Sequence, residues 1–131
     1  MYKRQVEVEA DPAVGEVATD EAMVRQVLDN LLANALDAAG PGGAVRVSTL
    51  LDGERVRVEV ADTGPGIPPE TLSRIFDPFF TTKDPGRGAG LGLAISLTVA
   101  EALGGALTVE SKPGAGSRFR LWLPLRTPER Q

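Results

Sequence analysis

The chain has 131 residues, 42% of them hydrophobic and 24% charged, which is typical of one soluble globular domain and excludes a disordered chain. It contains neither cysteine nor histidine, so disulfides, thiolate metal sites, cysteine nucleophiles and histidine acid–base catalysis are excluded. The net charge of −4 argues against a nucleic-acid partner. No apolar run approaches the roughly 20 residues of a membrane span, and the N-terminus lacks the pattern of a secretion signal.

Hydrophobic periodicity divides the chain into strands and helices. Alternating polar and apolar residues indicate strands, and in the first of them Val6 and Val8 are expected to face inward. Asp20 is the expected N-cap of the first long helix, Asp52-Gly53 indicates a hairpin, and Gly104-Gly105 ends the last helix. The predicted elements are strands at 2–9 and 15–18, a helix at 21–39, strands at 45–50 and 56–60, helices at 70–75 and 91–103, and strands at 106–110 and 118–123.

This order, β-β-α-β-β-α-α-β-β, predicts a two-layer α/β sandwich with a mixed, mostly antiparallel sheet. Residues 77–90 hold two prolines and three glycines and are expected to form a long mobile loop, a kind of segment that is usually functional in a compact domain. Residues 126–131 are expected to be a frayed end or the start of a linker. The whole chain, residues 1–131, is interpreted as a single domain.

The only two asparagines, Asn30 and Asn34, are four residues apart on the first predicted helix. At about 100° per residue they share one side of that helix, with Gln26 and Asp37 close to the same direction. An asparagine oxygen is a hard neutral ligand that suits Mg²⁺. A polar shoulder on an amphipathic helix would show the same spacing, so both interpretations remain open.

Two glycine-rich segments are candidate binding loops. The first runs from Asp62 to Ile67, directly after a predicted strand; its carboxylate can accept a hydrogen bond from an exocyclic amine, and its glycines let a planar ring approach the backbone. The same pattern is also common in plain turns. The second runs from Gly86 to Leu93, where backbone N–H groups before a helix can cradle phosphate, although a flexible linker would have a similar composition. It matches neither a Walker loop nor a Rossmann fingerprint.

The long loop at 77–90 carries cations, and aromatic residues lie within it and just before it. Lys83 and Arg87 are its cations, and either can pair with a phosphate. Phe76, Phe79 and Phe80 are expected to anchor the loop to the core.

Taken together and in this order, these motifs resemble the ATP-binding catalytic domain of sensor histidine kinases, in the Bergerat-fold superfamily shared with gyrase and MutL. The similarity covers nearly the whole chain and implies the Bergerat α/β sandwich, with helices on one face of the sheet and an ATP lid at about residues 77–90. The N-box is similar to residues 26–35, the first glycine box to 62–66, the F-box to 75–83, the second glycine box to 88–93 and the closing glycine motif to 114–119.

The resemblance also implies roles for individual residues. Asn34 would ligate a Mg²⁺ that bridges the ATP phosphates, and Asn30 would support the nucleotide from the same side. Asp62 would bind the adenine amino group, and Lys83 would contact phosphate, which makes Asn30, Asn34 and Lys83 the implied catalytic residues. The implied nucleotide-binding set is Asn30, Asn34, Asp37, Asp62, Gly64, Gly66, Ile67, Phe76, Thr81, Thr82, Lys83, Arg87, Gly88, Ala89, Gly90, Leu91, Gly92 and Leu93. Asp37 stands where the family often has lysine, a departure that affects one phosphate contact of other members.

The function implied is that of a cytoplasmic, monomeric catalytic domain with ATP and Mg²⁺ as cofactors, whether or not the parent kinase is attached to a membrane. It would donate the γ-phosphoryl group to a histidine on a dimerisation and phosphotransfer domain outside this chain, with a response regulator as an indirect partner and no nucleic acid. A hydrolytic ATPase of the same fold normally carries glutamate at the position of Asn30. A serine kinase of the anti-sigma type, or a regulatory nucleotide-binding module without transfer activity, would share the fold and remains a competing interpretation.

Overall fold

The described part of the chain contains five strands and three helices. A computed structural model gives residues 5–9, 11, 14, 19–78 and 92–125. The predicted strand at 15–18, most of the predicted lid and the tail at 126–131 lie outside these residues. The elements are β1 (Gln5–Glu9), α1 (Glu21–Ala39), β2 (Ala44–Asp52), β3 (Arg55–Asp62), α2 (Pro69–Leu72), α3 (Gly92–Ala102), β4 (Ala106–Ser111) and β5 (Ser117–Pro124).

The strands form one sheet in the order β1-β2-β3-β5-β4. β1 runs parallel to β2, and the other neighbours are antiparallel, which confirms the predicted mixed sheet. The predicted hairpin joins β2 to β3. Asp52 pairs with Arg55, so the two turn residues are Gly53 and Glu54, and Gly53 has the positive φ of 63° that glycine adopts most easily.

The helices pack on the sheet to form the predicted second layer. α1 packs against β2 and β3, α3 packs against β4 and β5, and the two helices also contact each other. Every second residue of β3 and of β5 is buried, which places the core on one face of the sheet. The core includes Val27, Leu31 and Ala35 of α1, Val56, Val58 and Val60 of β3, and Phe119, Leu121 and Leu123 of β5.

The prediction that Val6 and Val8 face inward is wrong, because their exposed fractions are 51% and 75%. These residues pair with Val45 and Val47 of β2, but β1 lies at the edge of the sheet, beyond the strands on which α1 mainly packs. Alternation in a sequence reports which side of the pleat a residue occupies. It does not report whether a second layer covers that side.

The ends of the long helices follow their local signals. The Met23 N–H donates to the Asp20 carboxylate at 3.1 Å, which confirms Asp20 as the N-cap of α1. Gly104 follows α3 with a φ of 82°, a typical glycine stop. The short predicted helix at 70–75 is correct in place but ends earlier, at Leu72. No helix in the described ranges combines the length and apolar character needed to cross a bilayer.

Candidate functional site

Asp62, the last residue of β3, is buried although it carries an ionisable side chain. The Gly64 backbone N–H donates to its Oδ1 atom at 2.9 Å. Burial raises the pKa of Asp62 above its ordinary value, and hydrogen bonds from the Gly64 and Ser117 backbones partly offset that shift. No cation among the described residues pairs with this carboxylate. A buried carboxylate of this kind is stabilised when a ligand donates a hydrogen bond to it.

The glycines after Asp62 allow the backbone to pack closely against two other segments. A Cβ on Gly64 would lie 2.6 Å from the carbonyl oxygen of Ala38, at the end of α1. A Cβ on Gly66, where φ is 80°, would overlap the carbonyl oxygen of Lys112, in the turn between β4 and β5. A Cβ on Gly116 would likewise overlap the carbonyl oxygen of Asp62. These close approaches require glycine independently of any ligand.

Hydroxyl groups join the same loop to the β4–β5 turn. The Ile67 N–H donates to the Ser111 Oγ at 2.8 Å, and that hydroxyl donates to the Gly116 carbonyl at 2.9 Å. The Ser117 Oγ lies 2.8 Å from the Ser111 Oγ, and the Ser117 residue as a whole is only 4% exposed. Ser117 pairs with Asp62 across β3 and β5. The Asp62 loop and the turn therefore form one hydrogen-bonded unit.

Asn30 connects α1 to the beginning of α3. Its Nδ2 donates to the Ser96 Oγ at 3.2 Å and to the Gly92 carbonyl at 3.4 Å, and Ser96 is completely buried. Because a carbonyl oxygen can only accept, the amide NH₂ must face α3, which leaves the Asn30 Oδ1 as an acceptor. A neutral amide held in this way does not accept a proton as a general base would.

Asn34 lies between these two regions. It is one helical turn from Asn30, whose amide contacts α3, and one turn from Ala38, whose carbonyl contacts Gly64. The span from Asn30 to Ala38 is about 12 Å at the rise of an α-helix. Asn34 is half-buried, and no hydrogen bond joins its side chain to the described residues. One side of α1 thus carries polar groups from the Asp62 loop to the start of α3.

The remaining predicted site residues divide into two groups. Asp37 is half-buried near the end of α1, Gly92 begins α3, and Ile67, Phe76 and Leu93 are partly buried against the core. The others lie outside the described residues: Thr81, Thr82, Lys83, Arg87, Gly88, Ala89, Gly90 and Leu91, together with the expected anchors Phe79 and Phe80.

Residues 19–127 match the family described as histidine kinase-, DNA gyrase B-, and HSP90-like ATPase. The chain belongs to this family. Its members are grouped as ATPases, so the Bergerat domain formed by this chain is an ATP-binding domain. The arrangement of Asp62, Asn30 and Asn34 is therefore the candidate nucleotide site of an ATP-binding fold.

Similar proteins of this family include sensor histidine kinases. Sensor histidine kinase ZraS of Escherichia coli (strain K12) is 40% identical over 121 residues, which cover 92% of this chain and 26% of ZraS. The chain therefore spans about a quarter of that relative. The nucleotide-free catalytic domain of histidine kinase ThkA superposes with a TM-score of 0.84 at 35% identity, covering 95% of this chain and 80% of that one.

Two larger structures contain a similar domain. Full-length ShkA in complex with AMPPNP has a TM-score of 0.77 and 35% identity, and the match covers 97% of this chain and 27% of ShkA. ThkA in complex with the response regulator protein TrrA has a TM-score of 0.79 and 32% identity, covering 97% of this chain and 36% of that one.

Three serines at the site are absent from the set predicted from sequence: Ser96, Ser111 and Ser117. Ser117 belongs to the closing glycine motif, and its place in that motif could have indicated that it lies at the site. Ser96 carries no local signal, because its partner Asn30 is 66 residues away. Ser111 has nearby partners in Gly116 and Ser117, but its contact with the Ile67 N–H spans 44 residues and leaves no local signal.

Proposed function

We propose that the chain is the catalytic domain of a sensor histidine kinase, which binds Mg·ATP and donates the γ-phosphoryl group to a histidine of a dimerisation and phosphotransfer domain. Membership of the ATPase family and the similarity to ZraS and ThkA support this function. The observation that carries it is the row of polar groups along α1, which runs from buried Asp62 to the start of α3. A nucleotide can lie along this row with its base at one end and its phosphates at the other.

The base end of the site is Asp62. Its carboxylate accepts hydrogen bonds and cannot donate when ionised, so it matches the 6-amino group of adenine and opposes the 6-carbonyl oxygen of guanine. The burial of Asp62 increases this discrimination, because the wrong base leaves a desolvated carboxylate without a donor. GTP should therefore bind much more weakly than ATP.

The phosphate end lies beside Asn34 and the start of α3. The Asn34 amide oxygen is a hard ligand without a protein partner among the described residues, which fits Mg²⁺. No group of three acidic, histidine or cysteine side chains in the described ranges could hold a metal. Mg²⁺ would neutralise phosphate charge, and Asn34 would hold it in place. Lys83 and the glycines at 88, 90 and 92 are the proposed further phosphate contacts, and the residues from 77 to 90 are the proposed lid.

Asn30 separates this proposal from a hydrolytic ATPase. A hydrolase needs a base that activates water, and the Asn30 amide instead donates to Ser96 and Gly92. In phosphoryl transfer to a protein the domain mainly positions the nucleotide and neutralises charge. The acceptor histidine must come from another domain, because this chain has none. The response regulator is then the indirect partner in the signalling pathway.

The test is reconstitution of the transfer. The purified chain is mixed with Mg·ATP labelled on the γ-phosphate and with a separately produced helical segment carrying the acceptor histidine. Acid-labile label on that segment is the expected result, whereas the chain alone should remain unlabelled. Asn34→Ala should abolish the transfer, and Asp29→Ala, an exposed position on the same helix, is the matched control.

Two results would contradict the proposal. Fast phosphate release by the chain alone, lost in Asn30→Ala, would identify a hydrolytic ATPase. Acid-stable label on a serine of a partner would identify a serine kinase.

A further inference from the structure

One arrangement of protons satisfies every hydrogen bond around the Ser111 hydroxyl, and it fixes the direction of the Ser117 proton. A serine hydroxyl has one proton and two lone pairs. The Ile67 N–H occupies one lone pair of the Ser111 Oγ at 2.8 Å, and the Gly116 carbonyl, which can only accept, receives the Ser111 proton at 2.9 Å. The Ser117 Oγ is 2.8 Å away, so it must donate its own proton to the remaining lone pair of Ser111.

This direction matters because Ser117 is next to Asp62. The two residues are directly paired across β3 and β5, and both are buried. Paired residues on one face have Cβ atoms about 4.5–5.5 Å apart, within reach of a hydroxyl and a carboxylate. A Ser117 side chain released from Ser111 can turn about its Cα–Cβ bond towards the carboxylate and donate to it, because hydrogen bonds to charged acceptors are the stronger ones. In the described residues the Asp62 side chain accepts only from backbone N–H groups.

We infer that Ser111 is a positioning residue at the base end of the site. By accepting a hydrogen bond from the Ser117 hydroxyl, it keeps the Asp62 carboxylate available for the amino group of the nucleotide base. The inference rests on the proposed function, in which the base contacts Asp62. Ser111 also fastens the loop at Ile67, so the experiment has to separate the direction of one proton from a general loss of structure.

The first experiment measures nucleotide discrimination. Wild type, Ser111→Ala, Ser117→Ala and the double variant are titrated with ATP and with purine riboside triphosphate, which lacks the 6-amino group. In Ser111→Ala the freed Ser117 hydroxyl competes for Asp62, so ATP affinity should fall about five- to tenfold more than affinity for the analogue. When Ser117 is already alanine, adding Ser111→Ala should change the ratio of the two affinities less than about twofold.

Two further variants control for structural loss. Ser111→Thr keeps the hydroxyl and should restore the wild-type ratio. Ser73→Ala removes a hydroxyl that donates only to the nearby Glu70 carbonyl, at 3.0 Å, and should leave the ratio unchanged. If Ser111→Ala does not fold, Ser111→Cys replaces it, because a thiol is only a weak donor and acceptor.

The second experiment needs no nucleotide. The Asp62 carboxyl is titrated by NMR in the same variants. Its pKa should be lower in Ser111→Ala than in wild type, because a hydroxyl donor stabilises the charged form, and this decrease should be absent when Ser117 is also alanine. Equal loss of affinity for both nucleotides, unchanged by Ser117→Ala and with no decrease in the Asp62 pKa, would overturn the inference. Failure of the wild type to bind ATP would overturn the proposed function, while the titration would still test Ser111.

Discussion

Replacing Gly66 with alanine tests how closely the loop after Asp62 fits the β4–β5 turn. Gly66 has a φ of 80°, and an added Cβ would overlap the Lys112 carbonyl oxygen and lie 2.7 Å from its carbon. The loop is held on both sides of this point. The Gly114 N–H donates to the Pro65 carbonyl at 2.6 Å, and the Ile67 N–H donates to the Ser111 Oγ at 2.8 Å.

The magnitude has two parts. The left-handed backbone conformation costs alanine about 1–2 kcal/mol relative to glycine. Relieving the overlap moves the loop away from the turn and breaks the two flanking hydrogen bonds, at about 1 kcal/mol each. The expected loss of unfolding free energy for Gly66→Ala is therefore about 3–4 kcal/mol. Gly114 has the same φ of 80° but nothing within 4 Å of an added Cβ, so Gly114→Ala should lose only the backbone part.

Urea unfolding with linear extrapolation measures both variants, and ATP titration of the folded proteins follows. We expect Gly66→Ala to be less stable than Gly114→Ala by about 2 kcal/mol, because only Gly66→Ala breaks the two flanking hydrogen bonds. Its ATP affinity should also fall, because the loop that orients Asp62 is displaced. Equal stability of the two variants would show that the loop and the turn are independent, and would refute the packing argument.

Three other substitutions test the site and the core. Asn34→Ala should weaken Mg·ATP binding roughly tenfold or more while leaving adenosine binding nearly unchanged, and calorimetry with and without EDTA measures both. Burial raises the pKa of Asp62, so the native state retains that proton above the ordinary range of aspartate and the stability of the protein falls as the pH rises through this window. Asp62→Asn should remove this pH dependence and increase stability at neutral pH while it weakens ATP binding. Urea unfolding across a pH series measures the effect on stability. A variant whose unfolding free energy still changed with pH as in wild type would contradict the prediction. Leu31→Ala removes a completely buried side chain of α1 and should cost about 2–5 kcal/mol in the same unfolding assay, whereas a loss below 1 kcal/mol would place Leu31 outside the core.

Features that depend on neighbours in the sequence were predictable from the sequence alone. The bounds of α1 follow from an N-cap at Asp20 and a 3.6-residue apolar period, and both signals lie within the helix or next to it. Gly53 and Gly104 similarly mark a hairpin and a helix end, because positive φ is a local requirement. The order of the motifs, which is also a property of the sequence, was enough to indicate the family.

The tertiary structure decided every feature that depends on distant residues. Val6 and Val8 alternate like buried residues, yet they are exposed because their strand lies at the edge of the sheet. The partners of Asn30 lie 62 and 66 residues away, and the Ile67 N–H that donates to Ser111 lies 44 residues away. The raised pKa of Asp62 likewise results from burial, which arises only when the chain has folded. Hydrogen-bond direction and desolvation belong to the packed chain, so local sequence patterns contain no record of them.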